Sequence, residues 1–105
     1  MEYIIADTGA RVVYIDKKKV EAIVRNPEIL SVPEAEEGIL GISVYGGRLV
    51  VYRQLGREIS YPCGIIIKTE RDIMPGIPAD MVGEEEADPS LLQLLMQEVW
   101  VKKSD

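Results

Sequence analysis

The stretch that decides the fold is GILGISVYGGRLVVYRQLG, residues Gly38–Gly56, in which two apolar runs flank Gly46-Gly47. Both runs are rich in Ile, Leu, Val and Tyr, which suit a pleated, half-buried surface. A Gly-Gly pair between such runs predicts a two-residue hairpin, because primed turns need positive φ angles that glycine adopts freely. The predicted cross-strand pairs are Tyr45–Arg48, Val44–Leu49, Ser43–Val50, Ile42–Val51 and Gly41–Tyr52.

This register divides the hairpin into two faces, because side chains alternate along a strand. The first face is the more uniformly apolar, and we expect it to be the core face; it carries Leu40, Ile42, Val44, Leu49 and Val51, with Arg53 at its end. The second face is mixed and carries Ile39, Gly41, Ser43, Tyr45, Arg48, Val50 and Tyr52. Gly41 is expected to leave room for the Tyr52 ring across the strand pair.

Short strands are predicted on both sides of the hairpin. They cover residues 2–6, 11–15, 20–24, 64–68, 77–82 and 99–101, with the run at 64–68 buried on both sides. Pro78 indicates a strand edge or a bulge. Residues 27–38, 57–62 and 84–86 are predicted to be loop or connector, and residues 70–75 a turn region. Asp88 and Pro89 are typical of a helix start, so we expect one short helix with the leucines from Leu91 to Met96.

Composition limits the possible functions. The 105 residues are expected to form one domain with a formal net charge of −6, which argues against a nucleic-acid partner. No apolar run approaches the roughly 20 residues that span a bilayer, and no signal peptide is recognisable, so we expect a cytoplasmic protein without membrane insertion. The single cysteine excludes an internal disulfide, and nothing in the sequence calls for a cofactor.

The chain lacks the usual signs of an enzyme. The absence of histidine excludes Ser-His and Cys-His pairs and any imidazole metal site. Cys63 is interpreted as a structural thiol, and the acidic run from Glu84 to Glu86 lacks the ligand spacing of a metal loop. Asp80 has no partner carboxylate in a defined cleft, so we expect no catalytic residue and no metal ligand.

The order of these features resembles the CheW family of chemotaxis adaptor proteins. Residues 41–55 align without gaps on the family signature G-[VI]-x-N-L-R-G-x-[VI]-x-P-V-x-D-L, and residues 76–82, GIPADMV, are similar to the later motif G-[LI]-x-V-D-x-V. The opening strands, the run from Val20 to Ile23 and the prolines Pro27 and Pro33 follow in the family's order. The signature's Asn, Arg, Pro and Asp fall here on Val44, Gly46, Val51 and Gln54, and the Glu of the earlier strand falls on Ala22.

The resemblance implies a mainly β fold of two small SH3-like barrels that share a core, with the chain as a single CheW-like domain over residues 1–105. It also implies a non-enzymatic adaptor that binds a CheA-type histidine kinase regulatory domain, a chemoreceptor, or both, through strand edges and an apolar groove between the barrels. The contact candidates are Val20, Ile42, Val44, Tyr45 and Tyr52. The family usually continues with a further strand and a terminal helix, so an unpaired edge here favours a partner strand or a homodimer. The alternative is a divergent homo-oligomeric β-barrel module no longer tied to chemotaxis.

Overall fold

The computed structural model describes residues 1–55 and 61–103. Strands and two 3₁₀ turns account for most of these residues. The strands are β1 Glu2–Asp7, β2 Val12–Asp16, β3 Val20–Arg25, β4 Ile39–Tyr45, β5 Arg48–Arg53, β6 Cys63–Ile67, β7 Ile73–Ala79, β8 Met81–Glu86, β9 Leu92–Met96 and β10 Val99–Lys102, and the turns are Lys17–Lys19 and Pro89–Leu91.

The strands form two five-stranded sheets, here called the first and second lobes. The first lobe has the order β8-β1-β2-β10-β9, and the second has the order β3-β6-β7-β5-β4. The first lobe therefore combines both ends of the described chain, whereas the second is built from its middle. This architecture confirms the predicted mainly β fold with two lobes.

One apolar core joins the lobes. Its buried residues come from β1, β2 and β10 of the first lobe and from β6 and β7 of the second; they are Ile4, Ala6, Val13, Ile15, Ile65, Ile67, Ile77, Ala79 and Val99. Each lobe also has a smaller core of its own, centred on Tyr3, Tyr14 and Leu92 in the first and on Val50, Tyr52, Ile66 and Met74 in the second. β6 contributes to two cores, which explains the uninterrupted apolar run at residues 64–67.

The central hairpin has the predicted register, but the mixed face is the buried one and the face predicted to be core is more exposed. Tyr45 pairs with Arg48, and the pairing continues to Gly41 and Tyr52; Gly46 and Gly47 have φ angles of 57° and 79°. The prediction of the core face was wrong, because Tyr52 is 1% exposed and Val44 is 69% exposed.

The reason lies in two glycines of neighbouring strands. A Cβ atom at Gly76 would lie 2.8 Å from Cδ1 of Tyr52, and one at Gly64 would lie 2.5 Å from its hydroxyl oxygen. These glycines on β6 and β7 therefore make the space for the buried ring. Gly41 instead admits the backbone of Leu30, and a Cβ there would lie 2.8 Å from Cγ2 of Ile29.

The region before the last strand differs from the prediction. The Asp88 carboxylate accepts a hydrogen bond of 2.9 Å from the Ser90 N–H, and Pro89 follows it, so the predicted start is present. The helical turn ends at Leu91, however, and Leu92–Met96 is strand β9 rather than helix. Pairing with β10 overrides the helical propensity of this leucine run.

Three further segments are also assigned differently. Residues 84–86, predicted to be a loop, belong to edge strand β8, and the single strand predicted over residues 77–82 is divided between β7 and β8. β7 begins at Ile73, so it includes part of the predicted turn region at residues 70–75. The predicted connector at residues 57–62 lies mostly outside the described residues.

Both prolines of β7 lie where the strand has one neighbour. Pro75 is in the half that pairs with β5, and Pro78 is in the half that pairs with β6. A proline lacks an N–H donor, so it is tolerated where one side of the strand has no ladder to complete. The prediction that Pro78 lies at a local edge agrees with this arrangement.

Candidate partner-binding surfaces

Four of the five predicted contact residues lie around one pocket in the second lobe. This hairpin pocket has a volume of about 400 Å³, and its lining includes Ile42, Val44, Tyr45 and Tyr52. It lies between β3 and β4, which are the two edges of the lobe. The pocket is therefore the open end of a curled sheet whose edges do not pair with each other.

The four residues differ in accessibility. Val44 and Tyr45 form the exposed rim, with 69% and 41% exposure, whereas Ile42 is half-buried. Tyr52 lies on the floor, where burial raises the pKa of its hydroxyl to about 12. The ring belongs to the core of the lobe, and the role of Tyr52 in partner contact stays a prediction.

Val20 lies apart from this pocket. It is the first residue of β3, is half-buried, and packs against the core shared by the lobes. A register shift after it interrupts the pairing of β3 with β6. The structure therefore separates Val20 from the other contact candidates.

A short segment crosses the hairpin pocket and was predicted only as loop. Residues 27–30, here called the strap, connect the end of β3 to the edge of β4. The N–H of Leu30 donates to the carbonyl of Ile42, and the N–H of Ile42 donates to the carbonyl of Leu30, both at 2.8 Å. The Leu30 side chain itself is 67% exposed, so it adds to the apolar rim.

A second concavity runs between the lobes, as the family resemblance implied. This interlobe groove has a volume of about 680 Å³ and is lined by Val51, Met74 and Ile77 of the second lobe and by Met96 and Val99 of the first. Arg53 and Arg71 also line it. Sequence reasoning missed Met74 and Met96 because their convergence depends on how the lobes pack. Met74 is buried beneath the groove, whereas Met96 is half-buried, and its flexible side chain suits a surface that adapts to its partner.

The residues with potential for catalysis are not brought together. Cys63 is half-buried against the shared core, and Asp80 is exposed in the turn between β7 and β8. Glu84 is paired with Lys17, whose Nζ also lies 3.2 Å from Glu2 Oε2, and hydrogen bonds to Glu84 and Glu2 raise the pKa of Lys17. In the ranges 1–55 and 61–103, no group of three Cys, Asp or Glu side chains is arranged to hold a metal ion. No helix in the same ranges is long and apolar enough to cross a membrane.

Comparison with known proteins finds similarity among solved structures. No protein-family model and no curated protein matches the chain. Among solved structures, the scaffolding protein TtCheW from Thermoanaerobacter tengcongensis superimposes with a TM-score of 0.71 at 17% sequence identity. The alignment covers 99% of this chain and 82% of that chain. The chain therefore has the fold of a CheW scaffolding protein.

Proposed function

We propose that this chain is a non-enzymatic CheW-like adaptor that works in the cytoplasm, in chemotaxis-type signal transduction, as a single domain. It binds the regulatory domain of a CheA-type histidine kinase, a chemoreceptor, or both, by protein–protein contacts. The main support for this proposal is the fold that the chain shares, over nearly its whole length, with a CheW scaffolding protein. One fold can serve many functions, so the proposal also rests on the residues that the chain exposes at its surface.

The hairpin pocket supports a role in binding. Val44, Tyr45 and Leu30 are exposed apolar side chains at its rim. A tyrosine joins a large apolar area to a hydroxyl group, and its few rotatable bonds keep the entropy cost of binding low. We therefore place the kinase-binding contact at this rim, with Tyr45 as its centre.

A titration of the chain with the regulatory domain of its own organism's CheA-type kinase tests the proposal. Tyr45→Ala is expected to raise the dissociation constant by about tenfold or more, as at an interface hot spot. It should leave the melting temperature nearly unchanged, because the Tyr45 side chain is 41% exposed.

Met81→Ala provides the matched control. Met81 is 71% exposed on β8 of the first lobe, so its truncation removes an exposed apolar side chain that does not line the hairpin pocket. It should not change the affinity. Equal binding by wild type and Tyr45→Ala would remove the residue from the contact, and an absence of any complex would contradict the kinase-binding role.

The alternative is a homo-oligomeric β-barrel module outside chemotaxis. The uncharged edge of β4, ILGISVY, favours it, because exposed strand edges pair readily with other chains. Light scattering distinguishes the two functions: a stable dimer that ignores the kinase domain supports the alternative, and a monomer that binds the kinase supports the adaptor.

A further inference from the structure

The four edge strands of the two sheets are β8, β9, β3 and β4, and two of them carry charges that discourage pairing. β8 ends in Glu84, Glu85 and Glu86. β3 exposes Glu21 and Arg25. Charges of this kind keep sheet edges from joining other chains.

β4 and β9 carry no charge, and each has one register shift, which in β4 lies between Ile39 and Gly41. Beyond this shift, the stretch of β4 from Gly41 to Tyr45 pairs regularly with β5. The N–H and C=O of Ile42 point outward, since both bond to Leu30. By the alternation of an antiparallel strand, the N–H and C=O of Val44 point to the same outer side, where the sheet has no further strand. A second β4 could therefore pair with this edge wherever it is uncovered.

The strap covers the edge at Ile42. Two backbone hydrogen bonds of 2.8 Å hold Leu30 there. Gly41 allows this close approach, because a Cβ atom at residue 41 would overlap the carbonyl group of Leu30 and lie 2.8 Å from Cγ2 of Ile29. Ile29 packs against the core of the second lobe, so it anchors the strap from inside.

We infer that the strap is an edge guard that keeps β4 from pairing with a second copy of this chain. Within Gly41–Tyr45, while Leu30 occupies the outer side of Ile42, an incoming strand reaches only the groups of Val44, which is too short a ladder to hold two molecules. Release of the strap exposes the regular stretch from Gly41 to Tyr45, and two copies then pair antiparallel through β4. This inference holds whether or not the chain binds a kinase.

Two substitutions release the strap by different means. Leu30→Pro removes the N–H that donates to Ile42, and its control Leu30→Ala shortens the exposed side chain but keeps both hydrogen bonds. Gly41→Ala pushes the strap away through its Cβ. Its control is Gly83→Ala on the β8 edge, where a Cβ meets no atom within 4 Å.

The measurement is molar mass by light scattering over a hundredfold range of protein concentration, with circular dichroism to establish folding. Wild type and both controls should have the mass of one chain, and Leu30→Pro and Gly41→Ala should reach about twice that mass or more. Adding Val44→Lys to either variant should restore the single-chain mass, because it places a charge on the newly exposed edge.

Three results would overturn the inference. The first is a folded Leu30→Pro or Gly41→Ala protein that stays monomeric throughout. The second is an association that Val44→Lys does not reverse, which would locate it on another surface. The third is unfolding of both variants, which would make the strap a requirement of the fold instead of a guard.

Discussion

At the scale of single residues, Tyr52 explains why the faces of the hairpin are opposite to the prediction. Judged by apolar content, the face with Ile42 and Val44 is the better core face. The glycines that accommodate the Tyr52 ring, Gly64 and Gly76, come from strands distant in the sequence. A hydrophobic pattern within one hairpin does not contain that information, so the face could not be predicted from it.

The burial of Tyr52 predicts a pH dependence of stability. Its pKa is about 12 in the folded chain against an ordinary value of 10.0. Well below pH 10 the hydroxyl is protonated in both the folded and the unfolded chain, so it contributes no pH dependence there. Between pH 10 and 12 the unfolded chain loses this proton first, so the free energy of unfolding falls as pH rises. The loss from this group is about 3 kcal/mol at most, at 1.36 kcal/mol for each unit of pKa.

Tyr52→Phe is the matched variant, because it keeps the ring and removes the titrating group. Urea unfolding at pH 9, 10, 11 and 12 should show a shallower decline for Tyr52→Phe than for wild type. Burial also raises the pKa of Tyr3, so some decline persists in the variant. Parallel curves for the two proteins would show that the Tyr52 hydroxyl ionises as easily in the folded chain as in the unfolded one.

At the scale of elements, local chemistry predicted the turns well and tertiary pairing decided the rest. The Gly46-Gly47 turn, the register and the Asp88 cap were all predicted because each depends on residues adjacent in sequence. The helix after the cap was wrong because its leucines pair with β10. The strap was read only as loop because its bridge to Ile42 is formed by backbone atoms.

The hairpin turn gives a prediction at this scale. Gly47 has a φ of 79°, and a Cβ there meets no atom within 4 Å, so a substitution acts through backbone strain alone. Gly47→Val is expected to lower the free energy of unfolding by about 1–3 kcal/mol, because a β-branched residue is strained at positive φ. Gly46→Asn should be nearly neutral, because asparagine at the first position suits a type I′ turn. Urea unfolding of both variants checks this, and an equal loss in both would contradict the turn type.

At the scale of the whole molecule, the path of the chain ties the lobes together. The first lobe needs β1 and β2 from the beginning of the chain and β8, β9 and β10 from its end, so the second lobe is inserted between its halves. Their shared core takes residues from both sheets. The family resemblance predicted two lobes with a shared core, but it did not predict which strands each lobe takes. The hairpin pocket depends on side chains that meet when the second lobe folds, and the lining of the interlobe groove depends on how the lobes pack.

The shared core predicts that the lobes unfold together. Ile65 is fully buried there, so Ile65→Ala should lower the free energy of unfolding by about 2–5 kcal/mol. Unfolding can be followed by the fluorescence of Trp100 in the first lobe and by the amide signal of Val50 in the second. Although Ile65 belongs to the second lobe, its substitution should lower the urea midpoint by the same amount for both probes. Coincident transitions for the two probes indicate one cooperative unit.

Leu94→Ala, at a site 56% exposed on β9, should change neither midpoint appreciably. If Val50 shifted while Trp100 kept its wild-type midpoint, the lobes would be independent units, and a partner could then open the interlobe groove without unfolding either one.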